Sequence, residues 1–158
     1  MLLEIGDGES GFLGDHIRLG PQSSIASYLH RLQDNDGGMD MPAGMVPETT
    51  FWLLDDADRL VGTTRLRHLL TPEWRAWGGH IDYYVRPGER GKGYGHAALT
   101  LTLNEARELG LNRVLVTVET TNERSLRVVE KQGGRLEDER VLEADNVPYR
   151  RFWINVRR

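Results

Sequence analysis

Polar and apolar positions along the chain follow first one period and then another, and the switches between them lay out the elements. Ile25, Tyr28, Leu29 and Leu32 recur with helical spacing behind Ser24, which predicts a short amphipathic helix to about Gln33. The period then stops. Asp34–Glu48 is rich in Gly, Pro and Asp and reads as a long loop carrying three of the four methionines. Thr49–Leu54 and Leu60–Leu70 are strand-like runs on either side of Asp55–Arg59, the pattern of an antiparallel hairpin. A loop through Pro72 and Gly78-Gly79 leads to His80–Val85, a strand by its β-branched and aromatic content, ended by Arg86-Pro87. A helix from about Gly95 to Leu109 follows, with Leu99, Leu103 and Ala106 as its buried stripe and Gly110 as the left-handed residue beyond its end. Arg113–Val118 is a near-continuous apolar run of the kind covered on both faces, so these three elements read as a βαβ crossover. A second helix, about Glu123 to Gln132, opens behind Thr121 or Asn122 and stops at Gly133-Gly134, before strands near Leu136–Glu143 and Tyr149–Val156. Residues 1–22, with five glycines and a proline, read as an irregular or partly strand-forming lead-in. No repeat or linker interrupts the pattern. It predicts one domain, residues 1–158, of the α/β (α+β) class: a mixed central β-sheet with an antiparallel N-terminal hairpin and a parallel βαβ unit, flanked by helices.

Composition removes several classes of function. The chain has 158 residues, 24 acidic and 20 basic side chains and no cysteine. Disulfides, thiolate metal sites and cysteine nucleophiles are therefore excluded, and nothing is lost in a reducing compartment. Met1–Asp7 lacks a basic leader, and no uncharged stretch approaches the ~18 residues of a membrane span, so the expectation is a cytoplasmic protein without a membrane partner. A net charge of −4, with arginines scattered along the chain, argues against a nucleic-acid partner.

Against that acidic background one segment is basic and rich in glycine. The chain has 18 glycines, where average usage gives roughly 11. Gly88, Gly91, Gly93 and Gly95 fall close together with Arg86, Arg90 and Lys92. A helix start carries unpaired N–H groups and about half a positive charge, and glycines let a ligand approach them, so this loop suits an anion such as a pyrophosphate. A Walker A loop is excluded, because Tyr94 follows Gly93 where a lysine and then a hydroxyl are required. The dinucleotide fingerprint is met formally by Gly93, Gly95 and Ala98, but at mid-chain and after a long loop.

Arg90-x-x-Gly93-x-Gly95, behind a strand ending at Val85, fits better. The stretch Ile81-Asp-Tyr-Tyr-Val-Arg-Pro-Gly-Glu-Arg-Gly-Lys-Gly-Tyr-Gly95 resembles the acyl-CoA binding motif of the GNAT N-acetyltransferase superfamily. Asn122-Glu-Arg-Ser125 and Val129-Glu-Lys-Gln-Gly-Gly134 resemble the family's later segment, in which an Asn-x-x-Ser turn opens a helix ending in glycine. Together the matches span about residues 48 to 156. The resemblance implies a GNAT-like fold and an acetyl-CoA dependent N-acetyltransferase acting on a primary amine of a small molecule or peptide, with no metal required. It further implies that backbone groups near Tyr83, Tyr84 and Val85 hold the pantetheine arm. The amides of Arg90, Gly91, Lys92, Gly93, Tyr94 and Gly95 would cradle the pyrophosphate. Asn122 and Ser125 would face the pantetheine or adenosine end, and an N–H near Val85 would stabilise the oxyanion.

Attack by a neutral amine needs a general base. Candidates are His80 and Asp82, which period-2 alternation puts on one strand face, then Glu48, with Glu119 as a fourth. Two positions depart from the family: Val129 stands where it has a tyrosine acid, and Gly133-Gly134 where it has Gly-Phe. Tyr83, Tyr84 or water then remain as proton donors. The Asp34–Glu48 segment is a candidate acceptor-site loop, because methionines adapt to varied ligands and acids attract an ammonium group. Trp74 and Trp77 read equally as lid or core residues. Two rival functions stand beside the transferase: a non-catalytic acyl-CoA binding or sensor module that has lost its acid, and an NAD-type nucleotide-binding protein built on Gly93–Ala98. The Tyr149–Val156 strand offers an edge for pairing in a homodimer.

Overall fold

The computed structural model describes residues 8–9, 12–13, 25–39, 41, 43–142 and 146–157. Within the lead-in, β1 (Gly8–Glu9) and β2 (Phe12–Leu13) pair antiparallel; the rest of that segment and the Ser24 cap lie outside the described residues. Helix α1 (Ile25–Gly37) runs four residues past the expected stop at Gln33. His30 and Asp34, one turn apart at 2.8 Å, and Asp36, which accepts from the Thr49 hydroxyl, hold the polar extension in place. Its apolar stripe is mostly uncovered: Tyr28 is buried but Ile25 and Leu29 are exposed. The loop thus begins at Gly38, which takes φ +66°, and Glu48 belongs to the strand beyond it.

The expected hairpin is β3 (Glu48–Leu54) against β4 (Leu60–Arg67), and β5 (Ile81–Val85) adds to the other edge of β4. Helix α2 (Tyr94–Glu108) then crosses over to β6 (Arg113–Glu119). Helix α3 (Glu123–Lys131), β7 (Arg135–Leu142) and β8 (Val147–Asn155) complete the chain. The strand order is β3-β4-β5 in one sheet and β6-β8-β7 in the other, and every ladder in them is antiparallel. Between β5 and β6, where a continuous mixed sheet was expected, there is no ladder. A single bridge joins Gly79 to Val116, and His80 makes two bonds to Leu115. Strand β8 is paired on both sides, by β6 and β7, so it has no edge left for a partner chain, contrary to the expectation for Tyr149–Val156.

The core lies on one face of the split sheet. Leu99, Leu103 and Ala106 of α2 and Leu126 and Val129 of α3 cover Leu66, Ile81, Val114, Val116, Phe152 and Ile154. Gly110 ends the α2 region with φ +82°, the left-handed conformation that glycine adopts without cost. Among the described residues no helix is long and apolar enough to cross a membrane.

Candidate active site

The opening between β5 and β6 follows from ladder phase. In an antiparallel pair, residues alternate between bonded and non-bonded positions. Arg67 N–H donates to the His80 carbonyl and Arg86 N–H to that of Val61, so residues 80, 82, 84 and 86 spend their backbone groups on β4. Ile81, Tyr83 and Val85 therefore turn theirs to the opposite edge. On β6, Val156 N–H donates to the Asn112 carbonyl and Thr120 N–H to that of Pro148, so the even residues bond β8 and Leu115, Thr117 and Glu119 face β5. Leu115 is tied by His80; beyond it the strands diverge over a cleft of about 1690 Å³, lined by 81–85 on one side and 116–119 on the other. Two facing open edges can receive an extended chain as a strand. Tyr83 and Val85 carry the edge groups, whereas the Tyr84 backbone is turned into its own sheet.

One end of this cleft is the glycine loop. Gly91 and Gly93 have φ of +81° and +91°, which side chains rarely adopt, and no atom lies within 4 Å of where a Cβ would stand on either. No side chain caps the start of α2, so its first amides face the cleft without an intrahelical acceptor. The basic residues do something other than bare charge complementarity. Arg90 donates from Nε to the Val85 carbonyl at 3.0 Å and lies over the Tyr84 ring, clamping the loop to β5. Lys92 is paired with Glu89 at 2.7 Å. Across the loop, Asn122 caps α3 by accepting from the Ser125 N–H at 3.1 Å. The Tyr83 ring packs near Gly95, and burial raises the pKa of its phenol, which the neighbouring Ser125 offsets in part.

The sheet face away from α2 and α3 is charged. Arg67 donates to Asp82 Oδ2 at 2.7 Å and to the Gly79 carbonyl at 3.2 Å, approaches Glu48 Oε2 at 3.6 Å, and stacks 3.8 Å from the Trp74 ring centroid. Arg65 approaches Asp82 Oδ1 at 3.4 Å. Register causes this, since Glu48 sits opposite Arg67 and Asp82 opposite Arg65. Arg65, Arg67 and Glu48 are each at most 2% exposed. Removing one partner would strand a buried charge, at about 3–5 kcal/mol. A π-helical turn, Trp74–Gly78, covers this side, closed by the Gly79 N–H on the Trp74 carbonyl at 2.7 Å. Trp74 donates from Nε1 to the Gly44 carbonyl, and Arg151, held by Asp138, donates to the Arg75 carbonyl at 2.8 Å.

The four base candidates separate in this frame. His80 lies just before β5; its Nδ1 accepts from the Leu115 N–H at 2.9 Å, and burial first, then Arg67, pushes its pKa down to about 4. Its lone pair is occupied by the seam, and it does not line the cleft. Glu48 is likewise away from the cleft, and Asp82 lines it but faces two guanidinium groups. Glu119 lines the cleft on β6, where Tyr149 donates to its Oε1 at 3.5 Å. From the 34–48 segment Gly44 reaches the cleft wall, but Met39, Met41 and Met45 do not, and Trp74 and Trp77 both line it. The buried arginines escaped sequence reading, although Arg65-Leu66-Arg67 alternates charge with leucine, a signal that one strand face is charged. Among the described residues no group of three His, Asp or Glu side chains is placed to hold a metal ion.

Two open strand edges over an uncapped, glycine-rich helix start define a site for a long ligand that is peptide-like along its length and anionic at one end. The description "Acetyltransferase (GNAT) family" belongs to a family model that matches residues 22–134, and the chain is a member of that family. No curated protein sequence matches it. Among solved structures, an N-acetyltransferase from Staphylococcus aureus superposes with a TM-score of 0.63 at 15% identity, covering 85% of this chain and 79% of that one. A chimera of the Vibrio cholerae spermidine N-acetyltransferase SpeG gives 0.60 at 18%, covering 86% and 82%. The yncA protein of Salmonella typhimurium, solved with its cofactor acetyl-CoA, gives 0.53 at 19%, covering 62% of this chain and 59% of that one. The chain thus spans about three fifths of the yncA structure's length. At these identities the likeness is one of fold.

Proposed function

We propose that the protein transfers the acetyl group of acetyl-CoA to a primary amine of a small molecule or peptide. The observation that carries this reading is the pair of open edges on β5 and β6, leading to the uncapped start of α2. Gly91 and Gly93 bring the loop amides to the pyrophosphate, and Arg90 keeps the loop against β5. Tyr83 and Val85 pair with the amides of the pantetheine arm, and Asn122 with Ser125 shapes the wall opposite. Acetyl-CoA supplies an activated thioester. The amine nitrogen attacks its carbonyl carbon, the Val85 N–H stabilises the oxyanion, and the carbon–sulfur bond breaks. Glu119 takes the amine proton: it lines the cleft on β6, where Tyr149 donates to it, whereas Asp82 is bound by Arg67 and His80 and Glu48 lie away from the cleft. Solvent returns a proton to the departing thiolate, since position 129 is an enclosed valine. That enclosed valine also supports a second reading, a binding module without turnover.

Thermal-shift measurements with acetyl-CoA, CoA and NAD, followed by thiol release against a panel of amines, test the assignment. Acetyl-CoA should stabilise the fold by about 2.7 kcal/mol at a hundredfold excess over Kd, and at least one amine should release thiol. Glu119→Gln should keep the stabilisation and lose about a hundredfold in kcat. Stabilisation by NAD alone would overturn the reading; stabilisation by CoA without thiol release on any amine would favour the binding module.

A further inference from the structure

Strand β6 carries a second polar side chain beside Glu119. Val116 and Val118 enter the helix-covered core, so the alternate residues Thr117 and Glu119 point to the opposite face, Thr117 across from Arg151 and Glu119 across from Tyr149. Both line the cleft. Thr117 Oγ1 is buried, lies 3.1 Å from where a Gly79 Cβ would stand, and has no hydrogen-bond partner among the described residues. A hydroxyl left in this state costs the free fold its desolvation, with no bond to offset it, whereas valine has the same shape without that cost. Tyr83 Oη is also buried without such a bond, but its ring lies on the helical side, near Gly95 and Ser125. Among the described residues, Thr117 is the cleft-lining hydroxyl of this kind on the face that carries Glu119.

We propose that Thr117 binds the nitrogen of the acceptor and thereby selects primary over secondary amines. The inference rests on the acetyl-CoA reading above, with Glu119 as its base. Residues two apart on a strand stand roughly 7 Å apart, so a nitrogen about 3 Å from a Glu119 oxygen comes within about the same distance of the Thr117 hydroxyl. That hydroxyl is covered in the free chain; one step of χ1 between staggered wells exchanges it with the methyl on the same carbon, so a ligand can draw it out. A neutral primary amine brings one lone pair and two N–H groups. The lone pair forms the bond to the thioester carbon, and the carbon–sulfur pair leaves with the sulfur. One N–H proton passes to Glu119; the other stays on the product amide and donates to Thr117 Oγ1. A secondary amine has a single N–H, which Glu119 takes, and the hydroxyl is left orphaned. A neutral hydrogen bond of this kind is expected to give roughly five- to tenfold.

Steady-state kinetics of wild type, Thr117→Val and Thr117→Ser on a primary amine from the panel and on its N-methyl counterpart, beside melting temperatures and calorimetric titration with acetyl-CoA, test the assignment. Thr117→Val should lose roughly five- to tenfold in kcat/KM on the primary amine, mostly through KM, and little on the N-methyl amine, so the preference shrinks by that factor. Thr117→Ser should restore it. Acetyl-CoA affinity should stay at the wild-type value, and the melting temperature of Thr117→Val should rise by about 2–4 °C, because the orphaned hydroxyl is gone. Equal rates of wild type on the two amines, an unchanged preference in Thr117→Val, or a fall in its melting temperature would overturn the proposal while leaving the acetyl-CoA reading intact. Absence of turnover on every amine of the panel would overturn both.

Discussion

Val129 is fully enclosed, packed with Leu126 and Ile154, and a Cβ on Gly134 would stand 2.6 Å from its Cγ1 and 2.8 Å from its carbonyl oxygen. The backbone itself excludes a side chain at position 134 in this conformation, since the carbonyl of residue 129 stands there whatever its side chain. Val129 is buried and does not line the cleft, so a tyrosine ring there has to displace its packed neighbours. Val129→Tyr should therefore cost at least about 1–3 kcal/mol from overpacking, read as a fall in denaturation midpoint. A variant as stable as wild type would show that the ring escapes into the cleft after all. At this scale the sequence was a partial guide. It marked Gly110 as left-handed, because chirality leaves few residues able to stand there, but not Gly79. It could not say that Arg90 is a clamp or that Lys92 is neutralised, because both depend on where a neighbouring carbonyl and carboxylate come to rest.

The elements were more legible than their joints. Alternation and helical spacing located β3 to β8 and the two later helices within a few residues, since those patterns reflect burial of one apolar face. The break between β5 and β6 left no such mark, because it is made by the backbone of Gly79 and the ring of His80. His80 has a folded pKa of about 4 against an ordinary 6.5. As pH falls the unfolded chain therefore takes up the proton first: the stabilisation is complete above 6.5 and is lost on the way down to 4. Between pH 6.5 and 5 this amounts to up to about 2 kcal/mol, at 1.36 kcal/mol per unit. Calorimetric melting at pH 7 and pH 5 should show a larger loss for wild type than for His80→Gln; equal losses would mean that the imidazole titrates freely. The same bond explains why a histidine at the head of a strand, a natural base candidate from its spacing, serves the seam.

Across the whole molecule, two half-sheets share one helical layer and touch along a single line. Gly79 has φ +72°, and a Cβ there would come within 2.6 Å of the Leu115 carbonyl oxygen, a backbone atom that cannot step aside. Gly79→Ala should lower the melting temperature by several degrees, as a 1–2 kcal/mol loss does in a domain of this size, and should also reduce the further rise given by acetyl-CoA, since the angle between the half-sheets sets the width of the cleft. Retention of the full ligand-induced shift would detach the seam from the site. Fold membership was readable from two short motifs across one crossover. The other end of the cleft was not, because the charged sheet face, the Trp74–Gly78 turn and Gly44 lie far apart in the chain and have no shared period.

The open edges of β5 and β6 bear also on self-association. A strand with unpaired amides and carbonyls is a template on which another copy can add, and the two edges that flank the cleft are of this kind. They are turned toward each other, joined at one end by the seam, and backed by α2 and α3, so a foreign strand would have to enter lengthwise through the mouth of the cleft. The unsatisfied backbone needed to receive a ligand is thereby kept off the outer surface, and the molecule can leave its sheet unfinished without offering the gap to its neighbours.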